Sequence, residues 1–178
     1  PNKKTQPNQR RITYLTNDNT MKICFVLNDI ATETCGTSMY LITKAHQRGH
    51  EVSVMGVGDF NFHHEKPITI SATQVPKSTK TKSPKKYLEI LQSSKAKKTK
   101  ISAKDLDVLF IRNNPTEEQS GREWAEQAGV AFGRMIQQEG VLVLNDAYAL
   151  SHAFIDKLYF EELPEEIKPD SLITRNKD

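Results

Sequence analysis

Four short runs of apolar, largely β-branched residues recur along the chain. They lie at 21–27, 51–57, 108–111 and 141–144. Continuous runs of this kind are typical of strands that are buried on both faces, as in a parallel sheet. The pattern therefore predicts four strands of one sheet, with the first two joined as a strand–helix–strand unit.

Between these runs, apolar residues recur with the spacing of a helix. The first such segment, 37–48, is followed by Gly49, which suits the left-handed position after a helix. A second helix is predicted over 117–138, before Gly140, and a third at about 151–160. Strands that alternate with helices predict an α/β fold. We expect an open, mostly parallel Rossmann-like sheet with helices on both faces.

Two stretches depart from this pattern. Residues 60–73 alternate apolar and polar positions around a polar turn, which predicts a hairpin. Residues 77–104 contain ten lysines and one acid, whereas the whole chain has a net charge of only +3. One or two helical turns are predicted at 87–91. The rest of this segment is predicted to be a mobile, solvated insertion.

The length of 178 residues suits a single domain with a sizeable core. We expect a flexible tail at 1–20, one domain at 21–163 and a linker at 164–178. The first twenty residues are polar and show no secretory signal, and no apolar run approaches the roughly 18 residues that span a bilayer. Two cysteines fit a reducing compartment, so a cytoplasmic location is predicted.

Polar side chains follow the first and third predicted strands. Ligands of such sheets bind beyond the carboxyl ends of the strands. Asn28 and Asp29 occupy the first of these positions, and Arg112, Asn113 and Asn114 the second. The guanidinium of Arg112 can bind a carboxylate through two parallel hydrogen bonds. All five are candidate substrate-binding residues; the alternative is a local ion pair with asparagines that only shape a turn.

Other polar or reactive side chains are weaker candidates for a functional role. Asn145 and Asp146 end the fourth strand, where helix capping is the simpler interpretation. Histidines at 63–64 precede a glutamate, but adjacent residues of an extended segment point in opposite directions, so we predict no metal site. Cys35 is interpreted as an ordinary loop cysteine, and Trp124 as part of the core or of an interface. No catalytic residue is predicted.

Four segments follow one another in an order and spacing that a known family shares. They are Ala45–Val52 with Gly58-Asp59, Asp105–Arg112 with Pro115, Val141–Asn145 with Asp156–Tyr159, and Lys168–Arg175. Together they resemble the N-terminal domain of bacterial glutathione synthetase and its ATP-grasp relatives. The resemblance implies a pre-ATP-grasp domain that covers nearly all of the chain after residue 20.

The resemblance also implies an activity for the full-length enzyme, an ATP-dependent carboxylate–amine ligase. ATP phosphorylates a carboxylate, and an amine then displaces phosphate from the acyl phosphate, with Mg²⁺ and basic groups offsetting charge. ATP and Mg²⁺ are expected in an ATP-grasp domain that follows the linker, and no cofactor is expected in this chain, which would not be catalytic alone. Asn145, Asp146 and Lys157 would lie where that domain docks.

The implied partners are a small peptide or amino-acid substrate and the ATP-grasp domain of the same polypeptide. A homo-oligomer is a further implied partner, whereas neither a membrane nor nucleic acid is expected. The family usually has Arg-Lys-Asp-Pro-Pro where this chain has Arg-Asn-Asn-Pro-Thr at 112–116, and Asp-Pro where it has Asn28-Asp29. The loss of one charge of each sign after Arg112 weakens the case for γ-glutamylcysteine as the acid substrate.

Two other functions fit parts of the sequence. The N-terminal lobe of a two-lobed glycosyltransferase also begins with a Met-Lys-Ile strand and carries Arg-Gly-His-Glu-Val, here at 48–52. A non-catalytic binding domain is the third possibility, with the lysines of 77–104 recruiting a polyanion. The sequence at the exit favours the ligase, because 168–174 matches the crossing into the ATP-grasp domain.

Overall fold

The fold is described by a computed structural model. It describes residues 20–64, 66–76, 78–94, 96–114, 121–125, 127–152 and 163–168, and the single residues 170, 172, 174 and 176. The strands are β1 Lys22–Leu27, β2 Glu51–Gly56, β3 Phe60–His63, β4 Lys66–Gln74, β5 Lys98–Ser102, β6 Val108–Ile111 and β7 Leu142–Leu144. The helices are α1 Thr37–Gln47, α2 Pro84–Gln92, α3 Ala128–Gln138 and α4 Ala147–His152.

The seven strands form one sheet in the order β3-β4-β2-β1-β6-β7, with β5 beside β4. The pairs β2–β1, β1–β6 and β6–β7 are parallel, as the apolar runs predict. The pairs that involve β4 are all antiparallel. The α/β class is confirmed, but the prediction of an open, mostly parallel Rossmann-like sheet is wrong, because the sheet is mixed. The connections from β2 to β3 and from β3 to β4 are only two or three residues long, too short for the crossover that a parallel neighbour requires.

Strand β4 has a neighbour on each of its edges. Its first part pairs with β3 and its last part, at Thr73 and Gln74, pairs with β2. Strand β5 pairs with 69–73, a span that overlaps both of these pairings, so β5 occupies the opposite edge of β4. The predicted hairpin at 60–73 is confirmed as β3 and β4.

Alternate residues of the central strand face two separate cores. Cys24 and Val26 belong to the cluster that α3 covers, whereas Ile23, Phe25 and Leu27 belong to the cluster that α1 and α2 cover. All five are buried, with exposed fractions of 8% or less. This burial on both faces explains the unbroken apolar run of β1, and it confirms that helices cover both faces of the sheet.

The lysine-rich segment is structured over the residues described. Helix α2 starts at Pro84, after Ser83, whose Oγ accepts a hydrogen bond from the backbone N–H of Lys86 at 3.4 Å. Its buried side chains, Tyr87 among them, join the same core as α1. Strand β5 supplies a complete ladder beside β4. Helix α2 includes the helical turns predicted at 87–91, and the segment has more regular structure than its composition indicates, because a one-sided helix and an edge strand need few apolar residues. Its mobility stays a prediction.

The predicted helix over 117–138 is also shorter in the structure. Residues 115–120 lie outside the described residues. Gly121 then adopts a left-handed φ of 88°, a conformation that interrupts a right-handed helix. A single 3₁₀ turn at Glu123–Ala125 follows, and α3 begins at Ala128. Most of the helix predicted at 151–160, the tail at 1–19 and much of the linker at 164–178 likewise lie outside the described residues, so those boundaries stay predictions.

Candidate binding site at the carboxyl edge of the parallel strands

The loops after β1 and β6 meet at one edge of the sheet. The two strands are parallel neighbours, and the pairing continues past β6, since the backbone N–H of Arg112 donates to the carbonyl of Val26 at 2.9 Å. Asn28 and Asp29 therefore lie beside Arg112 and the asparagines that follow it. The structure thus brings together the two loops that carry the five residues assigned to substrate binding, and the direction of each side chain decides which of them lies at the edge.

Asn28 joins the two loops through its side-chain amide. Its Nδ2 donates to the backbone carbonyl of Asn114 at 2.7 Å, and its Oδ1 accepts from the backbone N–H of Asn114 at 2.7 Å. One amide thereby satisfies both backbone groups of a residue 86 positions away. Both polar atoms of the Asn28 side chain are engaged in this contact, and neither sequence pattern nor spacing indicates it.

Arg122 adds a second connection between the loops, and the sequence analysis missed it. Its Nη1 lies 2.9 Å from Oδ2 of Asp29, and its Nη2 donates to the carbonyl of Asn28 at 3.0 Å. The other carboxylate oxygen of Asp29 accepts from the backbone N–H of Ala31 at 2.9 Å. Arg122 falls in a stretch that the apolar spacing assigns to a helix, so no sequence signal distinguishes it from a solvated surface residue.

Trp124 extends this edge toward the end of β2. Its side chain is 61% exposed, and the guanidinium of Arg122 lies 5.7 Å from the ring centroid. A Cβ placed on Gly58 would lie 3.1 Å from Cη2 of the ring, so the indole packs closely against the backbone at Gly58. Trp124 is therefore not part of the core, because its ring lies on the surface of this edge. The alternative, that it belongs to an interface, stays a prediction.

Arg112 is the candidate whose charge is least engaged. It is half-buried, and its Nε donates to Oγ of Ser38, in the first turn of α1, at the long distance of 3.4 Å. Among the residues that the structure describes, its two terminal nitrogens have no acceptor. Since a guanidinium offers five donors, most of its binding capacity is not used by the described residues.

Asn113 points away from this edge, into the protein. It is 8% exposed, and its side chain packs on Gly129 in the first turn of α3, where a Cβ would collide with Oδ1 of Asn113. Within the described part of the chain, neither polar atom of its amide has a hydrogen-bond partner. The three residues after β6 therefore have separate surroundings: Arg112 faces α1, Asn113 packs on α3, and Asn114 is joined to β1.

A comparison with protein families identifies what kind of domain carries this edge. The family model of the prokaryotic glutathione synthetase N-terminal domain matches residues 21–150. The chain belongs to this family. The match confirms the resemblance to this domain and extends from β1 into α4. The segments Asp156–Tyr159 and Lys168–Arg175 lie beyond the matched residues, so their part in the resemblance stays a prediction. A search of curated proteins finds no match.

The last strand of this glutathione synthetase family domain ends at the two predicted docking residues. Asp146 caps α4, because its Oδ1 accepts from the backbone N–H of Ala149 at 2.7 Å. That bond, with a further one from Gln137, holds the pKa of the Asp146 carboxyl below its ordinary value. Asn145 is exposed, and Lys157 lies outside the described residues. The capping contact accounts for Asp146 without a partner domain and leaves its docking role a prediction.

The cysteines of the family domain differ in reactivity. Cys24 is fully buried in β1, and burial raises the pKa of its thiol to about 12, so it stays protonated at neutral pH. Cys35 is exposed in the loop before α1. No group of three or more metal-ligating side chains occurs among the described residues, nor does any helix there have the length and apolar character needed to cross a membrane.

Proposed function

We propose that this chain is the substrate-side domain of an ATP-dependent carboxylate–amine ligase that resembles glutathione synthetase. Its membership in the family supports the reaction class. The single observation that carries a role for this domain is Arg112, a half-buried cation at the carboxyl edge whose terminal nitrogens have no acceptor in the described part of the chain. In this proposal, Arg112 binds a carboxylate of the acid substrate.

The surroundings of Arg112 suit that role. Partial burial weakens screening by water, so an ion pair formed there is stronger than one on an open surface. The hydroxyl of Ser38 lies next to the guanidinium, and its O–H can donate a further hydrogen bond to a bound carboxylate. A fixed anchor of this kind orients the substrate, which lowers the entropy that a reaction between separate molecules must lose.

The proposal assigns ATP and Mg²⁺ to an ATP-grasp domain that follows this chain in the full-length enzyme. Bound there, they supply phosphorylation of the acid, with ADP leaving and phosphate released when the amine attacks. The residues of this chain bind and orient the acid but carry out no bond-making step. Consequently the chain alone should show no ATP-induced rise in melting temperature, and a clear rise would contradict this assignment.

The test uses full-length protein, ATP, Mg²⁺, and a panel of acids that includes γ-glutamylcysteine and other dipeptides, with glycine and other amines. Phosphate release that depends on both an acid and an amine is expected. The Arg112→Ala variant should raise KM for the acid by about ten- to hundred-fold, the cost of a hydrogen-bonded charge. Arg48→Ala removes an exposed arginine just after α1 and should change nothing. Equal effects of the two variants would contradict the role of Arg112.

The panel also tests which acid is bound. Because Asn113 and Asn114 replace a charged pair of the family, an acid other than γ-glutamylcysteine is expected to give the highest kcat/KM. Phosphate release with no acid in the panel would instead indicate simple ATP hydrolysis and would contradict the ligase proposal.

A further inference from the structure

Four residues join the loops after β1 and β6 into one unit, which we term the loop bridge: Asn28, Asp29, Asn114 and Arg122. Two hydrogen bonds of 2.7 Å link Asn28 to the backbone of Asn114, and Arg122 binds both Asp29 and the carbonyl of Asn28. These contacts connect positions that are 86 to 94 residues apart.

We propose that Asn28 and Arg122 are positioning residues that hold Arg112 in the direction from which it binds the substrate carboxylate. This inference rests on the proposed function, and it assigns to Asn28 and Asp29 a role in shaping the site in place of direct contact with the substrate. It also adds Arg122, which lies ten residues after Arg112 in the sequence, to the residues on which binding depends.

The Arg112 side chain is itself only weakly attached to the protein. Its one hydrogen bond in the described structure, to Ser38, is 3.4 Å long, so this bond fixes the guanidinium poorly. Its direction must then come from its backbone. On one side that backbone is held by the ladder to Val26, and on the other by Asn114, only two residues away. Asn28 clamps Asn114 and thereby fixes the outer side.

Burial and charge favour the contact between Arg122 and Asp29. The side chains are 26% and 39% exposed, and the guanidinium also binds the carbonyl of Asn28. A multidentate arginine of this kind loses less side-chain entropy per bond than a lysine. In the surface pair Lys98–Asp59, by contrast, the lysine is 57% exposed and makes a single contact with the carboxylate.

The polar atoms of Asn28 and Asp29 are already bound within the protein, which favours a positioning role over direct contact with the substrate. Both amide atoms of Asn28 and both carboxylate oxygens of Asp29 already bind protein groups, at 2.7 to 2.9 Å. A substrate that bound either side chain directly would have to break one of these bonds, and the loss of a hydrogen bond costs free energy. Arg112 requires no such exchange, because its terminal nitrogens have no acceptor in the described structure.

The first experiment tests, without any substrate, whether the loop bridge holds the side chain of Arg112 in place. In ¹⁵N-labelled 178-residue chain, the amide of Asn114 should exchange slowly and the Nε–H of Arg112 should give one sharp signal. The Asn28→Asp variant keeps the shape but sets a carboxylate oxygen against the carbonyl of Asn114. It should speed exchange at Asn114 by about ten-fold or more and broaden or shift the Arg112 signal. Asn61→Asp, on β3, is the matched control.

An unchanged Arg112 signal in Asn28→Asp, with a folded protein, would overturn the inference even if exchange at Asn114 rises. Asn28→Ala then serves as a second variant, because it removes both bonds without adding a charge. If it too leaves the Arg112 signal in place, Asn28 only stabilises the loop and does not position Arg112.

The second experiment uses the full-length enzyme and separates binding from chemistry. Arg122→Gln and Asp29→Asn should each raise KM for the acid about ten-fold with kcat nearly unchanged, and the double variant should be no worse than either single one. Arg122→Lys should recover part of the loss. Arg134→Ala removes an arginine that also lies 5.7 Å from an aromatic ring, that of Tyr148, and should leave KM unchanged.

The two proposals fail in different ways. If Arg112→Ala raises KM but the Arg122 and Asp29 variants do not, the positioning role is wrong and the ligase assignment stands. If no acid supports turnover, the ligase assignment is wrong, and the Arg112 signal in the labelled chain still decides whether the bridge controls Arg112.

Discussion

The parallel half of the sheet and the lysine-rich extension are built by different rules. The parallel half comprises β1, β2, β6 and β7 with α1 and α3, and its central strands are buried on both faces. The extension comprises α2, which has one buried face, and β5, whose residues are exposed or only partly buried. A strand buried on both faces must be apolar throughout, whereas a one-sided element needs an apolar residue only at alternate positions or once per helical turn. High lysine content is therefore compatible with a folded segment.

Removal of α2 should lower the free energy of unfolding more than any other change considered below. A small loss would contradict the view that the lysine-rich extension is part of the folded domain. Gln74 and Lys97 are already in contact, through a backbone hydrogen bond of 3.5 Å. A short Gly-Ser linker can thus replace 77–96. Because Tyr87, Leu88 and Leu91 leave the core, urea unfolding should show a loss of about 5 kcal/mol or more.

An unchanged free energy of unfolding would mean that the segment is the independent insertion that its composition suggests. The double variant Lys85→Gln, Lys86→Gln is the control for charge. Both lysines are exposed on α2, and their replacement should change the free energy of unfolding by no more than about 0.5 kcal/mol.

A glycine in the parallel half provides the second test. Gly129 lies in the first turn of α3, and a Cβ there would collide with the side chain of Asn113. Gly129→Ala should therefore lower the free energy of unfolding by about 1–3 kcal/mol, as overpacking does. Ala131→Gly, at an exposed position of the same helix, calibrates helix propensity, a loss of about 1 kcal/mol. A gain for Gly129→Ala in thermal or urea unfolding would mean that propensity outweighs the collision.

In the extension, a change at Tyr87 should raise the free energy of unfolding, by less than the glycine substitution lowers it. Its ring is fully buried between α2 and α1, but its hydroxyl has no hydrogen-bond partner among the residues described. Tyr87→Phe keeps the ring and removes the unsatisfied hydroxyl, so the protein should gain up to about 1 kcal/mol in urea unfolding. Tyr87→Leu is the companion variant, because it loses ring volume and should destabilise. A loss for Tyr87→Phe would show that the hydroxyl has a partner.

The two helix caps should give the smallest effect, and only one should depend on pH. Asp146 caps α4 in the parallel half, whereas Ser83 caps α2. The pKa of Asp146 is lowered in the folded protein, chiefly by its bond from Ala149. Its stabilising contribution is thus complete above its ordinary pKa of 3.8 and lost as the pH falls through the folded value.

The difference in free energy of unfolding between wild type and Asp146→Asn should accordingly shrink on acidification, whereas that between wild type and Ser83→Ala should stay constant. Urea unfolding at pH 3 to pH 6 measures both. A constant difference for Asp146→Asn would mean that the carboxylate of Asp146 does not titrate with folding.

Much of the parallel half could be predicted from the sequence. The run at 21–27 became β1 at Lys22–Leu27, and the segment 37–48 became α1 at Thr37–Gln47. These elements are specified locally, by the apolar run of the strand and by the helical spacing that ends at a glycine. The rule for sheet edges also placed Asn28 beside Arg112 correctly.

The extension and the loop bridge could not be predicted in the same way. The alternation in β5 is short and its apolar positions are few, so the ten lysines dominate the pattern. Ser83 and Pro84 are a helix-start signal that the charge obscured. The contact of Asn28 with Asn114 spans 86 residues and depends on which strands become neighbours. Arg122 lies between Gly121, with its left-handed φ, and the 3₁₀ turn, a local conformation that the helical spacing does not indicate.

The position of β5 at the border of the sheet has a consequence for solubility. Among the described strands β5 pairs only with β4, so its other side presents unpaired backbone groups to which a strand of another molecule could add. Lys98 and Lys100 are exposed on it, and charged side chains there resist such pairing. At the far border β7 has three residues, too few to serve as a template. The lysines thus help to keep the protein from aggregating through its strands.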